Sequence, residues 1–436
     1  MNRPRRIFNL PREVWLLGWV SFFTDTATEM IYPLLPLFLT RVIGASAMSL
    51  GVIEGIAEAG NSALKIVSGR LADKWGTAKP LVLIGYGLSS TVRPLIGLAS
   101  SWIDVLTLRF VDRLGKGVRG APRDAMLVTF ADAASRDRVF GFHRAMDHAG
   151  AVLGPLVAAC FLYFYPGEYR TLFLLTLIPG LIVMLVLWRV PERRTVGTSR
   201  TSRTSGTSST SSTSSTSSTS STSSTSSTSG TSGTSGTSGT SGTSSTLHRS
   251  FYTAIAIITL FSLGNASDAF LLLRLNDLGL AAFWIPLVWS GLHVVKVVSS
   301  ILGGAWSDRY GRRHVIALGW IVYAFVYAGF AVFDRPLILI AVFLSYGLYF
   351  GLTEGVERAW IADLAPAHAQ GVAFGIYYAA IGLGSLAASL LFGFLWTRVS
   401  PETAFHTGAA IALVSTLLLY LMFSRRSDEA HPGYQR

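Results

Sequence analysis

Long apolar segments, each about the length of a membrane-crossing helix, alternate with short polar segments along most of the chain. A helix needs about 20 apolar residues to cross the hydrocarbon core of a bilayer. Six such segments lie on each side of a polar break, and they cover residues 13–40, 47–69, 80–100, 103–130, 139–165, 170–190, 250–273, 281–304, 314–333, 336–362, 371–397 and 403–424. The pattern predicts an all-α membrane protein with twelve transmembrane helices in two six-helix halves.

The polar break consists almost entirely of Ser, Thr and Gly from about Thr195 to Thr246. Such a segment has no apolar side chains to bury, so nothing offsets the conformational entropy that ordering would cost. We therefore expect an N-terminal half at residues 1–194, a disordered cytoplasmic linker at 195–247 and a C-terminal half at 248–436. The linker either joins the halves as a plain tether or acts as a regulatory, phosphorylated loop.

The composition excludes a soluble protein. Of the 436 residues, 50% are hydrophobic and only 14% are charged, whereas a soluble domain carries about 25% charged residues. The net charge of +12 does not indicate nucleic-acid binding, because so few charged residues cannot cover a water-facing surface. The single cysteine, Cys160, cannot form an internal disulfide or a cysteine metal site.

Basic residues mark one side of the predicted helices. They precede the first segment, follow the second, fourth, eighth and twelfth, and flank the linker, as Arg3, Arg5, Arg6, Arg12, Arg70, Lys74, Lys79, Arg136, Arg138, Arg189, Arg193, Arg194, Arg200, Arg203, Arg249, Arg309, Arg312, Arg313, Arg425 and Arg426. Loops rich in Lys and Arg stay in the cytoplasm. We therefore expect cytoplasmic termini and a multi-pass protein of the plasma membrane, which is the inner membrane in a Gram-negative bacterium. The first apolar segment lacks a small-residue cleavage site, so we expect it to be retained.

An eight-residue sequence recurs after the second segment of each half, as GRLADKWG and GAWSDRYG. Both copies share a first glycine, an aspartate, a basic residue and a final glycine: Gly69, Asp73, Lys74 and Gly76, then Gly304, Asp308, Arg309 and Gly311. The first glycine would let two helices approach closely, the aspartate would bond the start of a neighbouring helix, and the last glycine would permit a tight turn.

This repeated loop resembles the signature that follows the second span in the major facilitator superfamily. The resemblance implies two parallel halves related by an axis along the membrane normal. It also implies that the eight shared residues take part in conformational gating. Contacts that break and re-form on the cytoplasmic side would then lock one state of an alternating-access cycle.

Two further elements resemble this superfamily in part. In the fourth span, Arg109 followed by Asp112, Arg113 and Gly115 is similar to an Arg-x-x-Gln-Gly-x-Gly element, whose arginine is associated with proton handling. In the fifth span, the helix-packing residues Gly150, Gly154 and Pro155 are similar to an element of proton-driven antiporters, with Ala158 and Ala159 in place of its last two glycines. Small residues at this spacing also occur in ordinary helix packing.

Charged residues inside the apolar segments are the best candidates for function, because burying charge in a membrane is costly. Two carboxylates four residues apart share one helix face and cannot both ionise cheaply there, so one should hold a proton. The candidates for proton coupling are Asp25, Glu29, Glu54, Glu58, Arg109 and Asp112. Glu29 is preferred, since it lies deep in its span before Pro33 and Pro36. Alternatively, the carboxylates simply pair with arginines of the fourth span.

The fourth span carries charged residues every three or four positions, and such a side cannot face lipid. It either lines a water-filled path, which would favour an anionic or zwitterionic substrate, or clamps the two halves together. The clamp is expected to use Arg119, Arg123 and Asp124, mirrored by Glu354, Glu357 and Arg358 in the tenth span. The candidates for the substrate cavity are Arg93, Arg113, Lys116 and Asp147, and Arg93 is expected to pair with Glu29 or Glu58. Asp147 and its neighbour His143 suit structural pairing or a proton relay better than a metal site.

These features predict a secondary transporter of a small molecule that works by alternating access, and not an enzyme. No serine nucleophile element, metal cluster or phosphate-binding loop is found, so we expect no cofactor and no metal. The expected partners are the lipid bilayer, a small-molecule substrate and protons, with no nucleic acid and with function as a monomer. Proton-coupled antiport of a drug or metabolite is favoured. The alternatives are proton symport of an organic anion or nutrient, and a non-transporting membrane receptor.

Overall fold

The computed structural model describes residues 10–75, 78–130, 136–192, 247–366 and 369–424. The predicted linker up to residue 246, both chain tails and Gly76 lie outside these ranges, as do the side chains of Asp73 and Lys74. The division into two halves and a linker therefore stays a prediction.

The described residues form helices joined by short loops. The helices before the linker are α1 (Arg12–Ile31), α2 (Leu35–Leu37), α3 (Ala47–Trp75), α4 (Lys79–Leu95), α5 (Trp102–Thr129), α6 (Arg136–Phe164), α7 (Tyr169–Leu175) and α8 (Leu177–Trp188). Those after it are α9 (Arg249–Gly264), α10 (Ala269–Asp277), α11 (Trp284–Tyr310), α12 (Arg312–Val332), α13 (Pro336–Leu364), α14 (Gln370–Arg398) and α15 (Pro401–Ser424). Short 3₁₀ turns at Tyr32–Leu34 and Ile96–Leu98 and a π-helical turn at Phe38–Val42 complete them.

Within the described residues, nine helical segments are long and apolar enough to cross a membrane. Helices α1, α3 and α5 are not among them, and these helices carry most of the described charged side chains of the first half. Large apolar side chains such as Trp188, Ile301 and Leu337 are more than 70% exposed, as a lipid-facing surface requires. The predicted all-α membrane architecture is confirmed, while the count of twelve spans and the cytoplasmic side stay predictions.

Local sequence explains where individual helices begin and end. Helix α5 begins with a capping box, in which the Ser101 hydroxyl accepts from the Asp104 backbone N–H and Asp104 accepts from the Ser101 backbone N–H. Helix α11 ends at Tyr310, and the next residue, Gly311, has a φ of 86°, a conformation that glycine tolerates best. The final glycine of the second repeat therefore makes the tight turn that the sequence predicts.

Two helices are interrupted in the middle of the molecule. Helix α1 gives way to the turn at Tyr32–Leu34, where Pro33 cannot donate a backbone hydrogen bond. Helix α9 ends at Gly264 and α10 begins at Ala269, so residues 265–268 are not helical. The apolar pattern over residues 250–273 does not reveal this second break. Broken helices in transporters expose backbone polar groups where they line a cavity.

The two halves contact each other through α3 with α14 and through α6 with α11. At Gly51 in α3 a side chain would collide with the backbone carbonyl of Ser389 in α14. Between α11 and α6, the Ser290 hydroxyl donates a hydrogen bond of 3.1 Å to the carbonyl of Val152. Close helix approach at small residues is the usual way in which membrane helices associate.

Gly304, the first glycine of the second repeat, is expected to allow close packing of α11 against another helix. The close approach of α11 to α13 falls instead on the preceding residue, Gly303. A methyl group at Gly303 would collide with the backbone carbonyl of Gly351, whereas one at Gly304 would meet no atom within 4 Å. Successive helical residues point about 100° apart, so only one of two neighbours faces a given partner. The expected packing role of Gly304 was therefore wrong for the described helices, and Gly303 takes it.

Alanine substitutions at these two neighbouring glycines should have opposite effects. Gly303→Ala should lower the free energy of unfolding by about 1–3 kcal/mol, because the added methyl group overpacks the α11–α13 contact. Gly304→Ala has open space and gains helix propensity, so it should be neutral or stabilising by up to about 1 kcal/mol. Thermal unfolding of the two purified variants in detergent measures the difference. Equal losses at both positions would contradict this packing.

Candidate functional site

A cluster of four buried charged side chains joins α3, α4 and α5. Arg93 Nη2 lies 3.0 Å from Asp112 Oδ1, and Arg109 Nε lies 3.0 Å from Glu54 Oε1. Arg109 Nη1 also lies 3.4 Å from Asp112 Oδ2, and all four residues are at most 5% exposed. Arg93 therefore pairs with Asp112 and not with Glu29 or Glu58, and it does not line the described cavities. Glu54 pairs with an arginine of the fourth span.

A central cavity of about 440 Å³ lies between the two halves. Its polar side chains come from both halves: Tyr32, Glu54, Glu58, Arg113 and Lys116, then Ser262, Asn265, Ser267, Asp268, Lys296, Tyr349, Thr353, Glu354, Glu357, Tyr377, Ser385 and Ser389. The interrupted segment at residues 265–268 thus lies on the cavity wall. Sequence reasoning missed Tyr32 and Asn265, and the signal for them was the adjacent Pro33 and Gly264.

A larger cavity of about 780 Å³ shares Lys116 and Glu354 with the central one. Its other charged side chains are Asp25, Lys65, Arg119, Arg123, Asp124, Arg144, Asp147 and Arg358. Val372, which lines it at the start of α14, is 57% exposed, so the cavity opens at this end of the helices. The structure places Asp147 in this larger cavity and brings Arg113 only to the central one.

The residues predicted to clamp the two halves bond within their own half. Arg119 Nη1 donates to Ser89 Oγ at 2.6 Å, and Arg123 pairs with its neighbour Asp124 at 2.9 Å. In the second half, Arg358 pairs with Glu354 at 3.1 Å, one helical turn away. The predicted clamp is therefore not closed in the described structure, which agrees with the open mouth of the larger cavity.

Glu357, the remaining clamp residue, is buried and bonded to neutral donors. It accepts hydrogen bonds from Trp320 Nε1 at 3.0 Å and from the Tyr377 hydroxyl at 3.3 Å. Asp268 is held in the same way by the Tyr346 hydroxyl at 2.8 Å. These carboxylates thus keep their positions on the wall of the central cavity without an arginine or lysine partner.

The two halves meet closely at the opposite end, where α1 reaches α11. Trp289 Nε1 donates a hydrogen bond of 2.7 Å to Glu29 Oε2, and His293 Nε2 lies 3.8 Å from the same oxygen. The Tyr32 hydroxyl and Ser267 Oγ lie 3.4 Å apart, also across the halves. Glu29 is therefore part of the contact that closes this end, and it does not line the described cavities.

The two carboxylates of each predicted i, i+4 pair have different nearest contacts. Asp25 lines the larger cavity whereas Glu29 contacts α11. Glu58 lines the central cavity and accepts a hydrogen bond of 3.0 Å from Asn61 Nδ2, whereas Glu54 belongs to the ion cluster. Each carboxylate thus has its own nearest partners, and proton coupling through either pair stays a prediction.

Two glycines of α6 lie directly on the backbone of α1. A side chain at Gly150 would collide with the carbonyl of Phe22, and one at Gly154 with the carbonyl of Thr26. A Cβ atom at Gly154 would also lie 3.1 Å from Cβ of Glu29. The Gly-Gly-Pro element of the fifth span, which ends in Pro155, therefore packs against the helical turn that carries Glu29.

Asp147 of α6, which lines the larger cavity, is held within the first half. It accepts a hydrogen bond from the Ser21 hydroxyl, and His143 Nδ1 lies 3.5 Å from its other oxygen. Over the part of the chain that the structure describes, no group of three or more His, Cys, Asp or Glu side chains is arranged to hold a metal ion. This aspartate and histidine therefore form a local pair beside the larger cavity.

Comparison with known proteins identifies related sequences and folds. The sequence profile described as Major Facilitator Superfamily matches residues 17–295 and 253–435. The chain is 30% identical over 416 residues to the uncharacterized MFS-type transporter MJ1317 of Methanocaldococcus jannaschii, covering 94% of each protein. It is 27% identical over 150 residues to the multidrug resistance protein MdtH of Aeromonas hydrophila, covering 34% of this chain and 38% of that one. Its fold is similar to that of a POT family transporter in complex with 5-aminolevulinic acid, with a TM-score of 0.72, 11% sequence identity and 96% and 98% coverage.

Proposed function

The chain belongs to the Major Facilitator Superfamily, and we propose that it is a proton-coupled antiporter that exports a drug or metabolite by alternating access. Membership confirms the superfamily predicted from the repeated loop and makes the chain a multi-pass membrane transporter of a small molecule, and not an enzyme. The coupling proton, the direction of exchange, the plasma membrane location and function as a monomer are the proposed part.

The contact of Glu29 across the halves is the observation that carries proton coupling. An ionised carboxylate accepts a stronger, charge-assisted hydrogen bond than a protonated one. The bond of 2.7 Å from Trp289 therefore holds the closed end more firmly when Glu29 is charged. A proton arriving at Glu29 weakens this contact and shifts the equilibrium toward opening at this end. Protonation of Glu29 is thereby linked to the opening and closing of this end.

Movement of the proton and the substrate in opposite directions is supported by α6, the helix that packs against the turn of α1 carrying Glu29. The element of Gly150, Gly154 and Pro155 is similar to one found in proton-driven antiporters, and Gly154 packs against Glu29. A relative that is 27% identical over about a third of the chain is named a multidrug resistance protein. Export of the substrate in exchange for an entering proton agrees with both observations.

The two cavities suit the remaining steps of this cycle. The substrate enters the larger cavity at its open mouth, and the central cavity holds it between the halves. In the opposite state we expect the gating residues of the two repeated loops and the clamp residues, including Arg123 and Arg358, to form contacts across the halves. Both ends then never open together, as alternating access requires.

The test of this function replaces the coupling carboxylate with its neutral amide. In everted membrane vesicles with an imposed proton gradient, a pH-sensitive dye should report proton release when wild type receives a substrate from a panel of cationic drugs, organic acids and sugars. Glu29→Gln should still bind the substrate and lose this release, because the amide cannot exchange a proton. Glu168→Gln removes an exposed carboxylate from a loop and should respond as wild type does. A full response from Glu29→Gln would refute its coupling role.

Proton symport of an organic anion is the second candidate, and the cations of the central cavity favour it. Arg113, Lys116 and Lys296 line that cavity together. Symport moves the proton in the same direction as the substrate, and antiport moves it in the opposite direction. For symport the dye would therefore report proton uptake into the vesicle with the substrate, and for antiport it would report proton release as the substrate enters. The same vesicle experiment therefore separates the two modes.

A further inference from the structure

Three cationic side chains line the central cavity without a direct ion pair to a carboxylate. Arg113 and Lys116 belong to α5, and Lys296 belongs to α11 in the other half. None of the three forms an ion pair with any carboxylate in the described parts of the chain. Their N–H groups are therefore available to donate to an occupant of the cavity.

The carboxylates of the same cavity are already bonded by the protein. Each accepts a hydrogen bond from a side chain outside the cationic trio: Glu54 from Arg109, Glu58 from Asn61, Asp268 from Tyr346, Glu354 from Arg358, and Glu357 from Trp320 and Tyr377. A bonded carboxylate has less capacity left for a cationic ligand. Glu54 and Glu354 are paired with arginines outside the trio, so the formal charges of Glu58, Asp268 and Glu357 are balanced by the three cations. What the protein leaves unused is the donor capacity of the cations, which an anionic occupant can accept.

Arg113 shows this unused donor capacity most clearly. The residue is only 9% exposed, and its Nε has no hydrogen-bond partner within the described residues. Its guanidinium carbon lies 5.9 Å from the centre of the Tyr32 ring, which is a weak interaction compared with a carboxylate. A buried charge without a partner is costly, and an anionic ligand would offset that cost.

The other two cations are also placed to reach an occupant. Lys296 Nζ lies 3.5 Å from the centre of the Phe350 ring, which holds the ammonium group at the cavity wall without neutralising it. Lys116 lines both cavities and is exposed. An anion entering through the larger cavity would meet Lys116 before it reaches Arg113 and Lys296.

The rest of the wall indicates the body of the ligand. Phe261, Tyr349, Phe350 and Ile381 supply an apolar and largely aromatic surface. Phe261 is held by stacking on Trp320, with ring centres 4.5 Å apart and planes at 5°. Flat aromatic surfaces favour a flat, unsaturated partner, and ligand sites combine such walls with a few polar anchors.

We propose that the substrate is a small organic anion, a carboxylate on a planar unsaturated or aromatic body, bound by Arg113, Lys116 and Lys296. The inference rests on the proposed function in taking the occupant of the cavity as the transported compound. Because the cations come from both halves, the anion bridges them at the centre of the molecule. Binding itself needs no proton gradient and can be measured on the purified protein.

The test is isothermal titration of the full-length protein in detergent with matched ligands. Benzoate, cinnamate and 2-naphthoate are compared with their neutral amides and with aryl trimethylammonium ions of similar size. We expect at least one carboxylate to bind about 10- to 100-fold more tightly than its amide, as expected for hydrogen bonds to charged groups. Lys296→Gln and Arg113→Gln should each weaken binding of that carboxylate by a similar factor.

Controls keep this result interpretable. Lys296→Gln breaks no ion pair, so it should fold even where Arg113→Gln fails to do so. Arg335→Gln removes one positive charge from an exposed loop outside the described cavities and should bind as wild type does. Three results would each overturn the proposed anion. The first is amides or ammonium ions that bind as tightly as carboxylates, the second is a folded Lys296→Gln variant with wild-type affinity, and the third is no carboxylate binding at millimolar concentration. If Glu29→Gln still abolishes proton release in those cases, only the substrate class fails and proton coupling stands.

Discussion

Arg109→Met should destabilise the folded protein by about 3–5 kcal/mol, the usual result of breaking a buried ion pair from one side. Arg109 is 2% exposed and contacts both Glu54 and Asp112. Without it, Glu54 keeps a negative charge with no cationic partner in a buried position. Asp112 retains Arg93, so the main loss falls on Glu54. Thermal unfolding in detergent, followed by size-exclusion chromatography, measures the effect.

A second substitution separates lost pairing from lost packing. Arg109→Met combined with Glu54→Gln removes both members of the pair, and the double variant should be more stable than Arg109→Met alone, because no uncompensated charge remains. Arg335→Met, at an exposed position, should change stability by less than about 0.5 kcal/mol. If Arg109→Met unfolds at the wild-type temperature, the cluster does not hold α3 to α5.

Cross-linking the halves at the α6–α11 contact should stop transport completely. The Ser290 hydroxyl reaches the backbone carbonyl of Val152 at 3.1 Å, so the two helices approach closely here and a cysteine pair at these positions is chosen to join the halves. The natural Cys160 is exposed and must first be replaced by alanine. Alternating access requires the halves to move relative to each other, and a covalent link between them prevents that movement. Substrate uptake into vesicles, before and after oxidation, measures the loss.

The control for this experiment links two positions inside one half. Ser400 Oγ and Thr403 Oγ1 lie 3.1 Å apart at the start of α15, and a cysteine pair there should leave transport intact after oxidation. A reducing agent should restore transport in the Ser290→Cys, Val152→Cys variant. Continued transport through the oxidised, fully cross-linked protein would exclude movement at this contact.

The sequence was sufficient for the helices and for the location of buried charge. Hydropathy reports what a segment must bury, so each apolar segment became one helix or two consecutive helices. Because charge is costly to expose to lipid, Arg109, Asp112 and Arg113 were also predicted to lie inside the molecule, and the structure buries all three. These predictions worked because each depends on one segment and its solvent.

Features that depend on the register between helices could not be predicted. A repeated motif does not determine which of two adjacent glycines faces the neighbouring helix, and the contact falls on Gly303. Arg93 pairs with Asp112 because of the packing of α4 on α5, which spacing along the chain does not encode. The break at residues 265–268 lies in an apolar segment, where averaged hydropathy hides it.

The proposed coupling predicts a direction of proton movement that purified protein can report. Proteoliposomes containing wild-type protein and an internal pH dye would be loaded with the compound that gives the strongest response in everted vesicles, with the membrane potential clamped by potassium and valinomycin. As the compound leaves down its gradient, an antiporter should acidify the lumen, and Glu29→Gln should leave the internal pH unchanged. Exit of the compound from wild-type liposomes with no change in pH, or with a rise in pH, would contradict proton antiport.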